Sequence, residues 1–271
     1  MKRTLTAFAA GLCLAAGAPI RAGLDNGRGR FLTHRAADGG FGARHEVEYW
    51  NDVVGLLGAA PDYGPLEFTV APPDHAAADL LLKDIEAPLV AVHAGAGAFS
   101  PARRWPLERY AHVVERLTTQ LKCSVVLVGG REEAGIGAAL RAAGRAGRVL
   151  DLTGRTTLGQ LAAVLARCAV FVGNDSGVMH LATAVGASVL ALFGPSNHRA
   201  WGPWTPSGKS VVLRADLPCS PCLYREHQLG TPEGCPARPC LHMITPGQVV
   251  SSVEQFLANG VQPAVPGRPA R

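Results

Sequence analysis

From about residue 86 onward, short apolar runs alternate with longer amphipathic ones in a steady rhythm. "APLVAVHAG" reads as a buried strand. "PLERYAHVVERLTTQL" sets Tyr110, Val113, Val114 and Leu117 at the three- and four-residue spacing of one helical face. "SVVLVGG" is another strand, and the rhythm then repeats: "EEAGIGAALRAAG" helix, "RVLDLTG" strand, "TLGQLAAVLARC" helix, "AVFVGND" strand, "GVMHLATAVG" helix, "SVLALFG" strand. Continuous apolar strands separated by helices call for right-handed crossovers, and so for a parallel sheet covered on both faces. The pattern predicts a Rossmann-like α/β domain of five or six parallel strands over residues 86–260, followed by a Pro-rich tail at 261–271.

Residues 1–85 are less regular. "MKRTLTAFAAGLCLAAGAPIRAG" places Lys2 and Arg3 before an apolar run that closes on small residues, which is the layout of a secretory signal. The run is rich in Ala and Gly rather than Leu, however. It passes without a break into "PIRAGLDNGRGRFLTHR", which reads as a strand, a turn and a short strand. A helix feeding a strand in an α/β layer accounts for the whole passage, so the segment is expected to stay on the protein, with a helix over residues 5–16. No other stretch reaches the roughly 18 apolar residues of a membrane span.

Composition changes this picture only a little. With 271 residues and 48% hydrophobic content, the chain can bury a core in one large or two modest domains. The net charge of +5 comes with only 17% charged residues, and the basic ones are scattered Arg rather than blocks. Nucleic acid is therefore not expected as a partner, whereas anionic small molecules or a membrane surface suit the charge.

Open parallel sheets bind ligands at the carboxyl ends of their strands. The loops found there are "HAGAGAFSPARRWP", "GGREE", "TGRTT", "NDSG" and "GPSNHRAWGPW", all polar and most of them Gly-rich. Each Gly lets backbone approach a ligand, and each following helix offers unpaired N–H groups and the positive end of its dipole, a combination that attracts phosphate. In "GNDSGVMHLATAVG", Ser176 and the amides around Gly177 stand where a helix begins, and His180 is one turn further in. These three could hold a diphosphate, while Asp175, facing away from it, accepts hydrogen bonds from sugar hydroxyls. The alternative is structural: Asp175 or Ser176 caps the helix, and His180 is a satisfied core histidine.

Taken in order, "HAGAGAFSPARRWPLERYAHVVERL", "VVLVGGREE", "DLTGRTTLGQLAAVLARCAVFVGNDSGVMHLATAVGASVLALFGPSNHRAWGP" and a cysteine-bearing segment after residue 218 resemble family 9 glycosyltransferases. These are the heptosyltransferases of lipopolysaccharide inner-core synthesis, and the likeness is strongest to the heptosyltransferase II branch. The resemblance implies a GT-B architecture of two Rossmann-like domains, an acceptor side in residues 1–85 and a donor side in 86–260. It implies an ADP-activated heptose as donor, a lipid A/inner-core type acceptor and a cytoplasmic enzyme with peripheral contact at the inner membrane. It also implies inverting chemistry that requires no metal cofactor.

On that pattern Asp175, Ser176, Gly177 and His180 match the family's D-[TS]-G-x-x-H donor site. Arg103 stands where the family usually has a phosphate-binding Lys, and it keeps the charge with a different geometry. Glu133 matches an acidic residue that contacts the donor nucleoside, though a first-turn helix charge is its structural alternative, and Thr156 matches a position lining the base pocket. The N-terminal stretch is similar to the second half of the family's acceptor domain. The chain is thus expected to start partway through that domain, and nothing in it matches the Asp that would act as general base. A non-catalytic sugar-nucleotide-binding remnant is accordingly the alternative to an active transferase.

Cysteines divide into two groups. Cys13, Cys123 and Cys168 stand alone in apolar contexts and read as core residues. Cys219, Cys222, Cys235 and Cys240 fall within "LPCSPCLYREHQLGTPEGCPARPC". Their number and the first C-x-x-C pair suit a structural zinc, while the wider second spacing leaves free or packed thiols as the other reading. Two disulfides would be expected only if the N-terminus were a true secretory signal.

Overall fold

The structure, a computed structural model, describes residue 9 and residues 11–27, 29–97, 100–206, 209–223 and 233–259. The chain divides into two compact units: residues up to Gly64 together with Asn197–Gly202 form the first, and Pro65–Ser196 with everything from Pro203 onward form the second.

In the first unit, β1 (Ala22–Asp25) and β2 (His34–Ala37) pair in parallel, with Ala22 opposite His34. Helix α1 (Glu46–Gly55) packs on both strands. Its start follows from sequence: His45 caps the helix, its ring accepting from the Val47 amide, while the Glu48 carboxylate accepts from the His45 amide at 2.9 Å. Tyr49 and Val53 are the residues that α1 buries. Residues 11–15 are helical, in line with the expected N-terminal helix; residues 1–8, where that helix was expected to begin, lie outside the described residues, as does the 261–271 tail. Among the described residues, no helix is long and apolar enough to cross a membrane.

The second unit opens with helix α2 (Pro72–Leu82). The resemblance places residues 1–85, those of this helix included, on the acceptor side. Here it belongs to the second unit because it packs on α5 (Leu158–Leu165): Ala78 and Leu82 are buried, and Arg167 hydrogen-bonds to the His75 carbonyl at 3.0 Å.

The predicted rhythm then appears in order: β3 (Leu89–His93), α3 (Leu107–Thr119), β4 (Ser124–Leu127), α4 (Ala134–Ala143), β5 (Val149–Asp151), α5, β6 (Val170–Asn174), α6 (Gly177–Ala184) and β7 (Ser188–Leu192). The short helix α7 (His198–Trp201) belongs to the first unit. Strand β8 (Ser210–Leu213) and helices α8 (Pro239–His242) and α9 (Pro246–Ala258) complete the series. All six strands of the larger sheet are parallel, in the order β5-β4-β3-β6-β7-β8.

Strands β3, β4, β6 and β7 are buried along their whole length, as their unbroken apolar sequences require of a sheet covered on both faces. The face of α3 read from the sequence is the buried one, with Tyr110, Val113, Val114 and Leu117 fully enclosed. From β3 the chain winds outward through β4 to β5, then returns to the other side of β3 as β6. That reversal opens a crevice at the carboxyl ends of β3 and β6, the place where such sheets bind ligands.

Candidate functional site

Asn174, the last residue of β6, organises the crevice. Its side-chain amide donates to the carbonyls of Ala94 (3.1 Å) and Gly95 (2.8 Å) in the loop after β3. Its oxygen accepts from the Trp105 amide and from the Tyr110 hydroxyl, each at 3.0 Å. One fully buried amide thereby joins two strand ends to the start of α3, with every polar atom satisfied. The Trp105 and Tyr110 rings meet edge to face at 4.9 Å, and the indole N–H donates to the Leu241 and Ile244 carbonyls.

A second network crosses three adjacent strands. His93 ends β3, Glu133 sits on the turn Arg131–Glu133 after β4, and Ser176 follows β6. His93 Nε2 lies 3.0 Å from Glu133 Oε2, and Nδ1 lies 3.2 Å from Ser176 Oγ. Because β3 lies between β4 and β6 in the sheet, only its terminal residue can reach both neighbours.

Burial by itself would raise the Glu133 carboxyl. The His93 hydrogen bond and charge, with the Gly130 amide, overcome it and lower the pKa to about 2. Glu133 Oε2 also accepts from the Gly130 amide at 3.1 Å, while Oε1 is buried without a hydrogen-bond partner. Gly95 has to be glycine at this spot, since a Cβ there would fall 1.6 Å from Oε1.

The mouth of α6 has the form expected of an anion site. Ser176 is its N-cap: Oγ accepts from the Met179 amide at 3.3 Å, and the Ser176 carbonyl accepts from His180. That leaves the first helical amides, of Gly177 and Val178, with no acceptor inside the helix. A Cβ added at Gly177 would meet nothing within 4 Å, so the space before these amides is open. His180, one turn further in, is half-buried.

Arg103 closes the other side. It donates to the carbonyls of Ala96 (2.8 Å) and Asp175 (3.0 Å), and its Nη1 lies 3.5 Å from the Asp175 carboxylate. The structure therefore sets Asp175 beside the cation. Thr156, half-buried after β5, sits at the same end of the sheet but two strands from β3, and its side chain makes no hydrogen bond to the other candidates. Arg103, Glu133, Asp175, Ser176, Gly177 and His180 are thus gathered around one crevice, with Thr156 at its edge.

Two residues of the site went unread in the sequence, His93 and Asn174. Both have the same signal, a polar side chain closing an otherwise apolar strand, in "LVAVH" and "VFVGN".

The cysteine segment packs against these loops. Ser220 Oγ donates to the Gly194 carbonyl at 2.7 Å, and the amides of Cys222 and Leu223 donate to the Pro195 carbonyl. A Cβ on Gly234 would lie 2.7 Å from Ala102, beside Arg103. None of the four forms a disulfide, and Cys222 and Cys240 are buried. Burial, and then the neighbouring thiols of Cys222, Cys235 and Cys219, push Cys240 up to about 11. Among the described residues, no three Cys, His, Asp or Glu side chains are placed to hold a metal ion.

Residues 6–231 match the sequence profile of glycosyltransferase family 9 (heptosyltransferase). The chain belongs to this family. Its relatives include the lipooligosaccharide heptosyltransferase 2 of Haemophilus influenzae, 35% identical over 134 residues, which is 48% of this chain and 37% of that protein. Among solved structures, a family 9 glycosyltransferase from Veillonella parvula superposes with a TM-score of 0.71 at 25% identity, over 92% of this chain and 70% of that one. The Escherichia coli ADP-heptose lipopolysaccharide heptosyltransferase II matches with a TM-score of 0.66 at 24% identity, over 94% and 74%. The α/β fold with parallel sheets is that of these GT-B-like proteins. The chain spans little more than a third of the length of the curated relative, and the seven donor-site candidates all lie in the second unit.

Proposed function

We propose that this family 9 chain binds an ADP-activated heptose in the β3/β6 crevice and serves an inverting heptosyltransferase of lipopolysaccharide inner-core synthesis. The observation that carries the reading is the open anion site at the α6 N-terminus, flanked by the Arg103 guanidinium. The amides of Gly177 and Val178, the dipole of α6, His180 and Arg103 receive the diphosphate. Glu133 faces the nucleoside: its buried Oε1 lacks a donor, which ribose hydroxyls can supply. Thr156 lines the base side.

As the acceptor hydroxyl attacks the anomeric carbon, negative charge builds on the departing diphosphate. Fixed amides and guanidinium at that point stabilise the charge without reorganisation. No residue of this chain is assigned the removal of the acceptor proton. The acceptor is of the lipid A/inner-core type, met at the cytoplasmic membrane face, where the net positive charge of the chain favours peripheral contact. The cysteine segment braces the loop that carries Arg103 through the close approach of Gly234 to Ala102.

Calorimetric titration of the chain with ADP and ADP-heptose tests the donor assignment. Arg103→Ala removes a charge-assisted contact and is expected to weaken both ligands by about 1.5–3 kcal/mol, ten- to hundredfold. Asp175→Ala is expected to weaken both as well, since Asp175 holds the guanidinium in place. Unchanged affinities in both variants would reduce the motif to a helix cap.

A further inference from the structure

The groups assigned above to the two ends of the donor meet in one buried side chain. Glu133, on the nucleoside side, follows β4, and Ser176, at the diphosphate, follows β6; the His93 ring lies between them with 2% of the residue exposed. Its Nε2 is 3.0 Å from Glu133 Oε2, and its Nδ1 is 3.2 Å from Ser176 Oγ. Oε2 also accepts from the Gly130 amide, and Oγ from the Met179 amide. Each of these two groups is therefore held by one backbone amide of its own and by the same imidazole. The bridge is packed directly on loop backbone, since a Cβ on Gly129 would fall 2.5 Å from Glu133 Oε2 and 3.4 Å from His93 Cδ2.

We propose that His93 is a positioning residue that couples the nucleoside end of the donor site to its diphosphate end. A ligand hydroxyl that engages Glu133 Oε1 fixes the carboxylate, the carboxylate fixes the ring through Nε2, and the ring fixes the Ser176 side chain through Nδ1. Order imposed at one end is then already in place when the other end binds, so the two halves of the ligand tighten each other. The link needs both hydrogen bonds and nothing more, whichever of Nδ1 and Oγ supplies the hydrogen. An imidazole suits the task because its two nitrogens stand at different distances from the backbone. The amide of Asn reaches about as far as Nδ1 and that of Gln about as far as Nε2, so neither can hold both neighbours at once. His93 acts on the ligand only through Glu133 and Ser176.

This inference rests on the donor reading above, and its test separates the two. The affinity of the full chain for ADP-heptose is measured calorimetrically in Glu133→Gln, in Ser176→Ala and in the double variant, first with His93 in place and then with His93→Gln, which keeps the reach to Glu133 and gives up Ser176. With His93 in place, the loss in the double variant should fall roughly three- to tenfold short of the product of the two single losses. With His93→Gln the losses should multiply. A second measurement needs no substitution: adenosine and inorganic pyrophosphate, as separate halves of the ligand, should each bind severalfold more tightly in the presence of the other. Losses that multiply with His93 in place, or halves that bind independently, overturn the coupling and leave the donor site standing. Coupling that survives in His93→Gln runs by another route and overturns it too. No binding of ADP-heptose to the unsubstituted chain removes the donor reading and the coupling together.

Discussion

The two units of the chain reach order by different means. In the second, β3, β4, β6 and β7 are apolar throughout and buried throughout, and their carboxyl ends are tied by side chains with several partners each, Asn174 and His93 above all. In the first, β1 is half-buried along its length and β2 buries only Ala36, while order comes from local devices such as the His45–Glu48 capping box. A site that must hold a diphosphate without reorganising needs the first kind of construction. Six of the seven candidate donor residues gather around the crevice of the unit that has it, with Thr156 at its edge.

Substitutions can break this contrast. The largest effect is expected from Asn174→Ala, which removes four hydrogen bonds inside the second unit and strands buried partners. It should lower unfolding free energy by about 3–5 kcal/mol in urea titration. A loss below about 1 kcal/mol would mean that the network does not stabilise the crevice.

Next comes Glu133. Its pKa is lowered to about 2, so its contribution is complete above its ordinary range near 4.5 and disappears as pH falls toward 2. The stability gap between the unsubstituted chain and Glu133→Gln should therefore be on the order of 3 kcal/mol at neutral pH and close as the solution is acidified through that window. A gap independent of pH would contradict the buried ionised pair.

In the first unit the matching change is gentler. Tyr49→Phe removes one hydrogen bond, to the Gly40 carbonyl at 3.0 Å, and should cost about 1 kcal/mol in the same measurement. A cost equal to that of Asn174→Ala would erase the contrast.

The smallest effect concerns metal. Since no three Cys, His, Asp or Glu side chains among the described residues are placed to hold a metal ion, EDTA should leave the melting temperature unchanged. A fall of several degrees, with zinc released, would restore the zinc reading.

Much of the second unit was legible because its strands are continuous apolar runs and its helices carry clear faces. β8 was less so: it is a four-residue edge strand with no fully buried position, too short to separate from a loop by periodicity. Helix α9 had a readable start in Thr245, Pro246 and Gln248, a capping box with Pro at the first helical position. The membership of α2 in the second unit could not be read, because it depends on long-range contacts such as Arg167 to His75.

Within the site, the motif residues were legible as types at a helix mouth. Their partners were not, since strand order brings together residues as far apart as His93, Glu133 and Ser176. Strand order also brings Arg103, 72 residues away, to Asp175 across the β3/β6 junction, a contact that no local pattern shows.

The central claim is that an ADP-sugar is held at the carboxyl ends of β3, β4 and β6. Amide hydrogen exchange of the full chain, with and without saturating ADP-heptose, tests it most directly, because it reports where a ligand sits. The account predicts slowed exchange at Gly177 and Val178, at Gly130 beside Glu133 and in the loop after β3, with the exposed surface of the first unit unchanged. Protection that spares these three loops, or binding that leaves all amides as they were, would contradict it.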